Sequence, residues 1–168
     1  MKRSLEVAIS RLTERDFDEA VRLYTEGYRN LELYAYTHPD DVRAYLEWMA
    51  ERDGEGLLKA VSGKGMVGFI GSDSHWFSKR EGKQVGAIHE LVVTPDLRRR
   101  GIGRELIREA VRRFLMRGLD TVELWVGDGN TVARKFYEKL GFKESGRYNY
   151  WIRMKADIQK LLQKLEQS

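Results

Sequence analysis

One stretch, Leu91 to Arg104 (LVVTPDLRRRGIGR), limits the fold of this chain more than any other. An apolar run, Leu91-Val92-Val93, stops at Thr94-Pro95; three arginines and Gly101-Ile102-Gly103 follow, and a helical apolar period begins at once. The order is strand, basic glycine-bearing turn, helix. The first turn of a helix leaves backbone N–H groups unpaired and carries the positive end of the helix dipole, which together suit phosphate. Glycines let a ligand approach that backbone closely. Arg98, Arg99 and Arg100 add permanent charge and forked donors. The stretch predicts a pocket for a di- or polyphosphate.

The same residues narrow the choice of phosphate. The turn has no G-K-[ST], so it lacks the lysine and metal ligand of a nucleotide-hydrolysing loop. Leu106 stands where a dinucleotide fingerprint needs its third glycine. Other chemistries are disfavoured by composition. The 168 residues include no cysteine, which excludes disulfides, thiolate metal sites and a covalent thioester on the protein. His38, His75 and His89 lie far apart without a metal-ligand spacing, so no metal is expected. No G-x-S-x-G elbow marks a hydrolase. The formal charge is +4, but on the helix after the glycines the arginines alternate with glutamates, which argues against nucleic acid as a partner. The start, MKRSLEVAIS, has no apolar signal region and no run reaches membrane-spanning length. The expectation is one domain over residues 1–168, cytoplasmic and independent of membranes.

Periodicity places the elements around that turn. Glu6 to Arg11 alternates as a strand. Thr13 with Asp16 forms a short capping box for a helix carrying Phe17, Ala20, Val21, Tyr24 and Tyr28. Pro39 opens a second helix with Val42, Tyr45, Leu46 and Met49 on one face and Asp53-Gly54 at its end. Leu57 to Val61 and Met66 to Ile70 read as a hairpin turning at Ser62-Gly63-Lys64-Gly65. The polar stretch Gly71 to Gly82, with Trp76 and Phe77, reads as a loop or ragged strand ends, supplying either a substrate wall or an edge cover. Gln84 to Val93 alternates, with Val85, Ala87, His89, Leu91 and Val93 on one face and Ile88, Glu90 and Val92 on the other. On the next helix Leu106, Ile107, Ala110, Val111, Phe114 and Leu115 form the apolar stripe. Its outward arginines read as a solvated face, with Glu109 and Arg113 paired. Gly118 ends it. Thr121 to Val126 is a strand, Asn130 caps a helix with Ala133, Phe136, Tyr137 and Leu140, and Phe142 and Tyr148 to Met154 supply final strands. Lys155 to Leu165 is amphipathic and either packs back or meets another subunit.

Two motifs carry a family resemblance. Arg98, Gly101 and Gly103 match [RQ]-x-x-G-x-[GA], and Asn130, Ala133, Phe136, Tyr137, Gly141 and Phe142 match N-x-x-A-x-x-F-Y-x-x-x-G-F further along. In that order the pair resembles the GNAT superfamily of N-acetyltransferases, over roughly residues 85 to 153. The resemblance implies an α/β (α+β sandwich) domain: a mixed, largely antiparallel central sheet flanked by helices, here with an extra C-terminal helix. It implies acetyl-CoA as co-substrate and direct transfer of acetyl to a primary amine. The pyrophosphate would lie on Arg98, Arg99, Arg100, Gly101, Ile102, Gly103 and Arg104. The backbone of Leu91, Val92 and Val93 would hold the acetyl carbonyl and the pantetheine arm, and Asn130 would touch the cofactor. Tyr137 would protonate the leaving thiolate. His89 and Glu90 are both candidates for the base that frees the acceptor amine of its proton, and a bulge in their strand would change which one faces the acceptor. The alternative is a domain that senses acyl-CoA without transferring it; the retained Tyr137 argues against that. The acceptor is a small-molecule or peptide amine, and the C-terminal helix allows a homodimer.

Overall fold

The computed structural model describes residues 4–63 and 65–167; Lys64 of the expected hairpin turn and the first three residues lie outside them. Among the described residues seven strands form one sheet: β1 (Ala8–Arg11), β2 (Leu57–Ser62), β3 (Gly65–Ser78), β4 (Lys83–Val93), β5 (Thr121–Gly127), β6 (Lys143–Tyr148) and β7 (Trp151–Asp157). Their spatial order is β1-β2-β3-β4-β5-β7-β6. Neighbours are antiparallel except β4 and β5. That one parallel pair needs a crossover, which α3 (Ile102–Met116) provides.

The sheet separates two cores. On one face α1 (Phe17–Gly27) and α2 (Pro39–Asp53) bury Leu23, Tyr24, Leu46 and Met49 with Phe69 and Val92 of the sheet. On the other, α3, α4 (Thr131–Lys139) and α5 (Ile158–Glu166) bury Leu106, Phe114, Leu140, Leu161 and Leu165 with Ile70, Ile88 and Leu124. Both faces are covered, so the central strands carry nearly continuous apolar residues rather than clean alternation. Gly86 is required there, because a Cβ would lie 2.3 Å from the Phe114 ring.

Several local signals hold. Thr13 and Asp16 make the capping box, and Pro39 starts α2. Asn130 caps α4 by accepting from the Ala133 N–H. At the end of α3 the N–H of Leu119 reaches back to the Phe114 carbonyl, with Gly118 at φ +76°.

Several expectations need correction. The first strand is shorter than Glu6 to Arg11, beginning at Ala8. For the stretch Gly71 to Gly82 the loop alternative falls and the ragged strand end stands: β3 runs on to Ser78, with register shifts, because buried partners replace apolar side chains. Ser72 donates to the Gly56 carbonyl, Ser74 to Asp53, and Asp73 accepts from Arg52. The arginines of α3 are not a solvated face. Arg104 and Arg108 donate to backbone carbonyls at the end of α5, and Arg112 pairs with Glu166. Arg113 pairs with the buried Asp53 rather than with Glu109, and Leu115 is an exposed residue. This settles the role of α5 in the fold, which packs back on α3.

Candidate active site

The site begins where β4 and β5 part. Their pairing covers only Gly86 to Ile88 against Val122 to Leu124. Beyond those residues the strands diverge, and a cleft of about 670 Å³ opens between them. His89, Glu90 and Leu91 line it from β4, Leu124 to Gly127 from β5, and Asn130, Ala133 and Tyr137 from α4. Tyr24 of α1, Tyr28 just after its end and Tyr45 of α2 close it from the other face of the sheet.

A bulge decides which β4 side chains enter. Ile88 pairs with Ser72 and Glu90 with Gly71, so His89 is an extra residue in the ladder. The strict alternation read from the sequence therefore breaks. Ile88 packs in the α3 core, whereas Glu90 bonds Tyr28 just after α1 and His89 lies against Trp48 of α2. The two candidate bases thus share one side of the sheet.

They sit in different surroundings. Glu90 is buried, and Tyr28 Oη donates to its carboxylate at 2.5 Å. Burial pushes the Glu90 carboxyl up to about 7, although hydrogen bonds from Tyr28, the Leu91 N–H and Tyr45 work against that rise. His89 is edge-on to Trp48 and Trp76, with Nε2 2.9 Å from Asp73 Oδ2. Asp73 is fully buried; despite that burial, hydrogen bonds from His89, the His75 N–H and Arg52 hold it down at about 2. His89 is thus fixed against a permanent carboxylate. Trp76 serves this corner, and its Nε1 donates to Glu123, while Phe77 is exposed. Across the cleft, burial and the nearby Glu90 charge raise the Tyr137 hydroxyl well above its ordinary range, so it stays a phenol.

The turn expected to hold phosphate lies past the end of β4. Gly101 caps α3 in the left-handed region at φ +86°, and the first intrahelical bond runs from the Glu105 N–H to its carbonyl. The N–H groups of Ile102, Gly103 and Arg104 precede that bond and have no intrahelical acceptor. Arg99 also has a positive φ, at 66°. Arg98 donates to the Gly27 carbonyl at the end of α1 (3.1 Å). The Ile102 side chain belongs to the core, and that of Arg104 reaches α5. Gly103 has a packing reason as well, since a Cβ there would meet Phe136 at 3.1 Å. Of the expected cofactor residues, Leu91, Asn130 and Tyr137 line the cleft; Val92, Val93 and residues 98–104 lie outside its lining.

One feature has no counterpart in the sequence reading. Tyr34, between α1 and α2, hydrogen-bonds Asp128 Oδ1 at 2.7 Å and accepts from the Gly129 N–H at 2.8 Å. A Cβ on Gly127 would lie 2.4 Å from its ring, and one on Gly129 2.6 Å from its hydroxyl. Gly127-Asp-Gly129, which reads as a plain turn, is a socket for that phenol. Asp128 also pairs with Arg147 of β6, so three segments meet at the cleft mouth.

A mixed sheet that splays between its parallel strands, with a glycine-capped helix after one of them, is the arrangement that the resemblance to the GNAT superfamily implies. The family model described as acetyltransferase (GNAT) family matches residues 9–142. The chain belongs to the GNAT acetyltransferase family. It is 45% identical over 140 residues to a protein of Archaeoglobus fulgidus that bears the name uncharacterized N-acetyltransferase, covering 82% of this chain and 95% of that one. A Methanocaldococcus jannaschii protein of the same description is 41% identical over 147 residues, 87% of this chain; the match spans 65% of that relative's length. The crystal structure of PH1933 from Pyrococcus horikoshii superposes with a TM-score of 0.80 at 40% identity, covering 90% of this chain and 98% of that one. At the level of the family the activity is acetyl transfer from acetyl-CoA.

Proposed function

We propose that this chain moves acetyl from acetyl-CoA directly to a primary amine, of a small molecule or a peptide, with Glu90 as base and Tyr137 as acid. The observation that carries the reading is that Glu90 and Tyr137 line one cleft where β4 and β5 part.

Glu90 takes a proton from the acceptor's ammonium, leaving a neutral amine whose lone pair attacks the thioester carbonyl. The C–N bond forms and the C–S bond breaks. The Leu91 N–H, which donates to the Glu90 carboxylate in the free protein, would be redirected to the thioester carbonyl; a positioned donor of this kind lowers a barrier by about 3 kcal/mol. Tyr137 gives its proton to the departing thiolate. A buried phenol suits this, since it stays protonated at neutral pH. His89 is the second candidate, since Asp73 holds its Nε2 and leaves Nδ1 to accept a proton; Glu90 is preferred because a carboxylate also pairs with the incoming ammonium. Leu91, Val92 and Val93 offer only their backbone, as the Val92 side chain belongs to the α1–α2 core.

The residues fit the diphosphate of the co-substrate. The free N–H groups of Ile102, Gly103 and Arg104 face the same direction as the dipole's positive end. Gly101 carries no side chain to obstruct them, and Arg98, Arg99 and Arg100 supply charge. The Arg104 contribution reduces to its N–H, given the engagement of its guanidinium with α5. Asn130 Oδ1 accepts from the Ala133 N–H, which leaves its amide N–H₂ for a ligand.

The test is thiol release from acetyl-CoA in the presence of an amine panel, with calorimetry of CoA binding alongside. Tyr137→Phe should bind CoA normally and turn over at least about tenfold more slowly. Wild-type turnover in that variant removes its assigned role, and thioester left intact with every amine removes the reading.

A further inference from the structure

The charge and lining of the cleft narrow the acceptor. Among the described residues that line it, Glu90 is the one carboxylate and Arg80 the one permanent cation. Most of the rest is aromatic. Tyr24, Tyr28 and Tyr45 surround Glu90 at the inner end, with Tyr24 and Tyr28 rings 4.7 Å apart. Tyr36, Tyr148 and Tyr150 stand at the outer end and are exposed, at 51%, 67% and 39%. Arg80 lies over Trp125, its Cζ 5.2 Å from the ring centroid.

Resting on the acetyltransferase reading above, we propose that the acceptor is a monoamine whose amine sits on an aromatic or bulky apolar body, and that polyamines and aminoglycosides are poor acceptors. One ammonium finds one carboxylate, flanked by the hydroxyls of Tyr28 and Tyr45, which donate to Glu90 and to the His89 carbonyl. A second ammonium a few carbons away finds no other acid among the described lining residues; Asp128 at the mouth is already held by Tyr34 and Arg147, and the Arg80 guanidinium repels the charge. Asp41 borders the shallower groove beyond Tyr36 and Tyr45, but it is exposed on the outer rim of α2, where solvent screens it. An aromatic or branched apolar body instead covers rings that face water in the free protein. Exposed apolar patches of this kind mark binding sites, and the socketed Tyr34 ties the segment of Tyr36 to the Tyr150 ring, 5.7 Å away.

The experiment compares phenethylamine, tyramine and a short peptide beginning with Phe against putrescine, spermidine and kanamycin, each with acetyl-CoA and the full chain. Thiol release gives kcat/KM, and calorimetry with CoA present gives binding without turnover. The expected result is a preference of at least about tenfold for the aromatic monoamines. Phenethylamine against the Phe peptide separates a small-molecule source from a peptide one. Tyr36→Ala should raise KM for the favoured amine several-fold while leaving that for acetyl-CoA unchanged. A preference for spermidine or kanamycin, or a Tyr36→Ala effect equal for every amine, overturns the proposal and leaves acetyl transfer standing. Binding of phenethylamine without thiol release overturns the transfer and leaves the ligand class standing. Failure of every aromatic monoamine to bind or react overturns the proposal outright.

Discussion

Glu90→Gln separates what this carboxyl does for catalysis from what it does to the fold. In the folded chain Glu90 titrates at about 7, against 4.5 as an ordinary glutamate. Below about pH 4.5 it is protonated folded and unfolded alike, and burial costs nothing extra. Between 4.5 and about 7 the unfolded chain ionises while the folded one does not, so the native state loses ground as pH rises. Above about 7 that loss is complete, at about 3 kcal/mol. Gln carries no charge and escapes it. Gln also brings two N–H donors into a buried site between Tyr28 and Tyr45, a penalty of about 1 kcal/mol at every pH. The variant should therefore be about 1 kcal/mol less stable than wild type at pH 4.5 and about 2 kcal/mol more stable at pH 8. Urea unfolding of both proteins at the two pH values, with equal m-values, measures the change. The same variant should lose activity by about a hundredfold, together with the rise in kcat/KM as pH climbs towards 7. A stability difference that does not move with pH, or that favours wild type at pH 8, refutes the argument.

Other expectations follow from single residues. Arg98→Glu with Gly101→Asp places two acids at the first turn of α3 and strains a φ of +86°; calorimetry should show acetyl-CoA affinity falling at least about a hundredfold, and unchanged affinity discards the phosphate site. Gly86→Ala drives a methyl into the Phe114 ring, so thermal unfolding should report a loss of about 1–3 kcal/mol, or several degrees in Tm. Gly127→Ala fills the Tyr34 socket; amide exchange over residues 28–38 should accelerate while α3 and α5 stay protected, and unaltered exchange there means that the socket does not hold the loop.

What the sequence reveals depends on whether a residue's partner is local. The capping box at Thr13, the Asn130 cap, Pro39 at the start of α2 and the glycine at the mouth of α3 all act within one turn, and all are legible. The bulge at His89 is expected from the family resemblance, but its position is set by the pairing with β3 across the sheet, and it puts His89 and Glu90 on one side. The polar run Ser72-Asp73-Ser74 reads as loop because its burial depends on Gly56, Arg52 and Asp53, supplied from elsewhere in the chain. The α3 arginines look solvated for the same reason: their acceptors belong to α5 and, for Arg113, to Asp53 of α2. Tyr28 and Tyr45 show only as apolar-face aromatics, and nothing in their spacing tells that their hydroxyls meet β4.

The phenol of Tyr34 and its seat at Gly127–Gly129 are 94 residues apart in the chain. A growing polypeptide that leaves the ribosome amino end first presents α1, α2 and the segment joining them long before that seat exists. Until β5 and the start of α4 have been made and have docked, the segment joining α1 and α2 has nothing to grip, because its anchor comes 94 residues later in the chain.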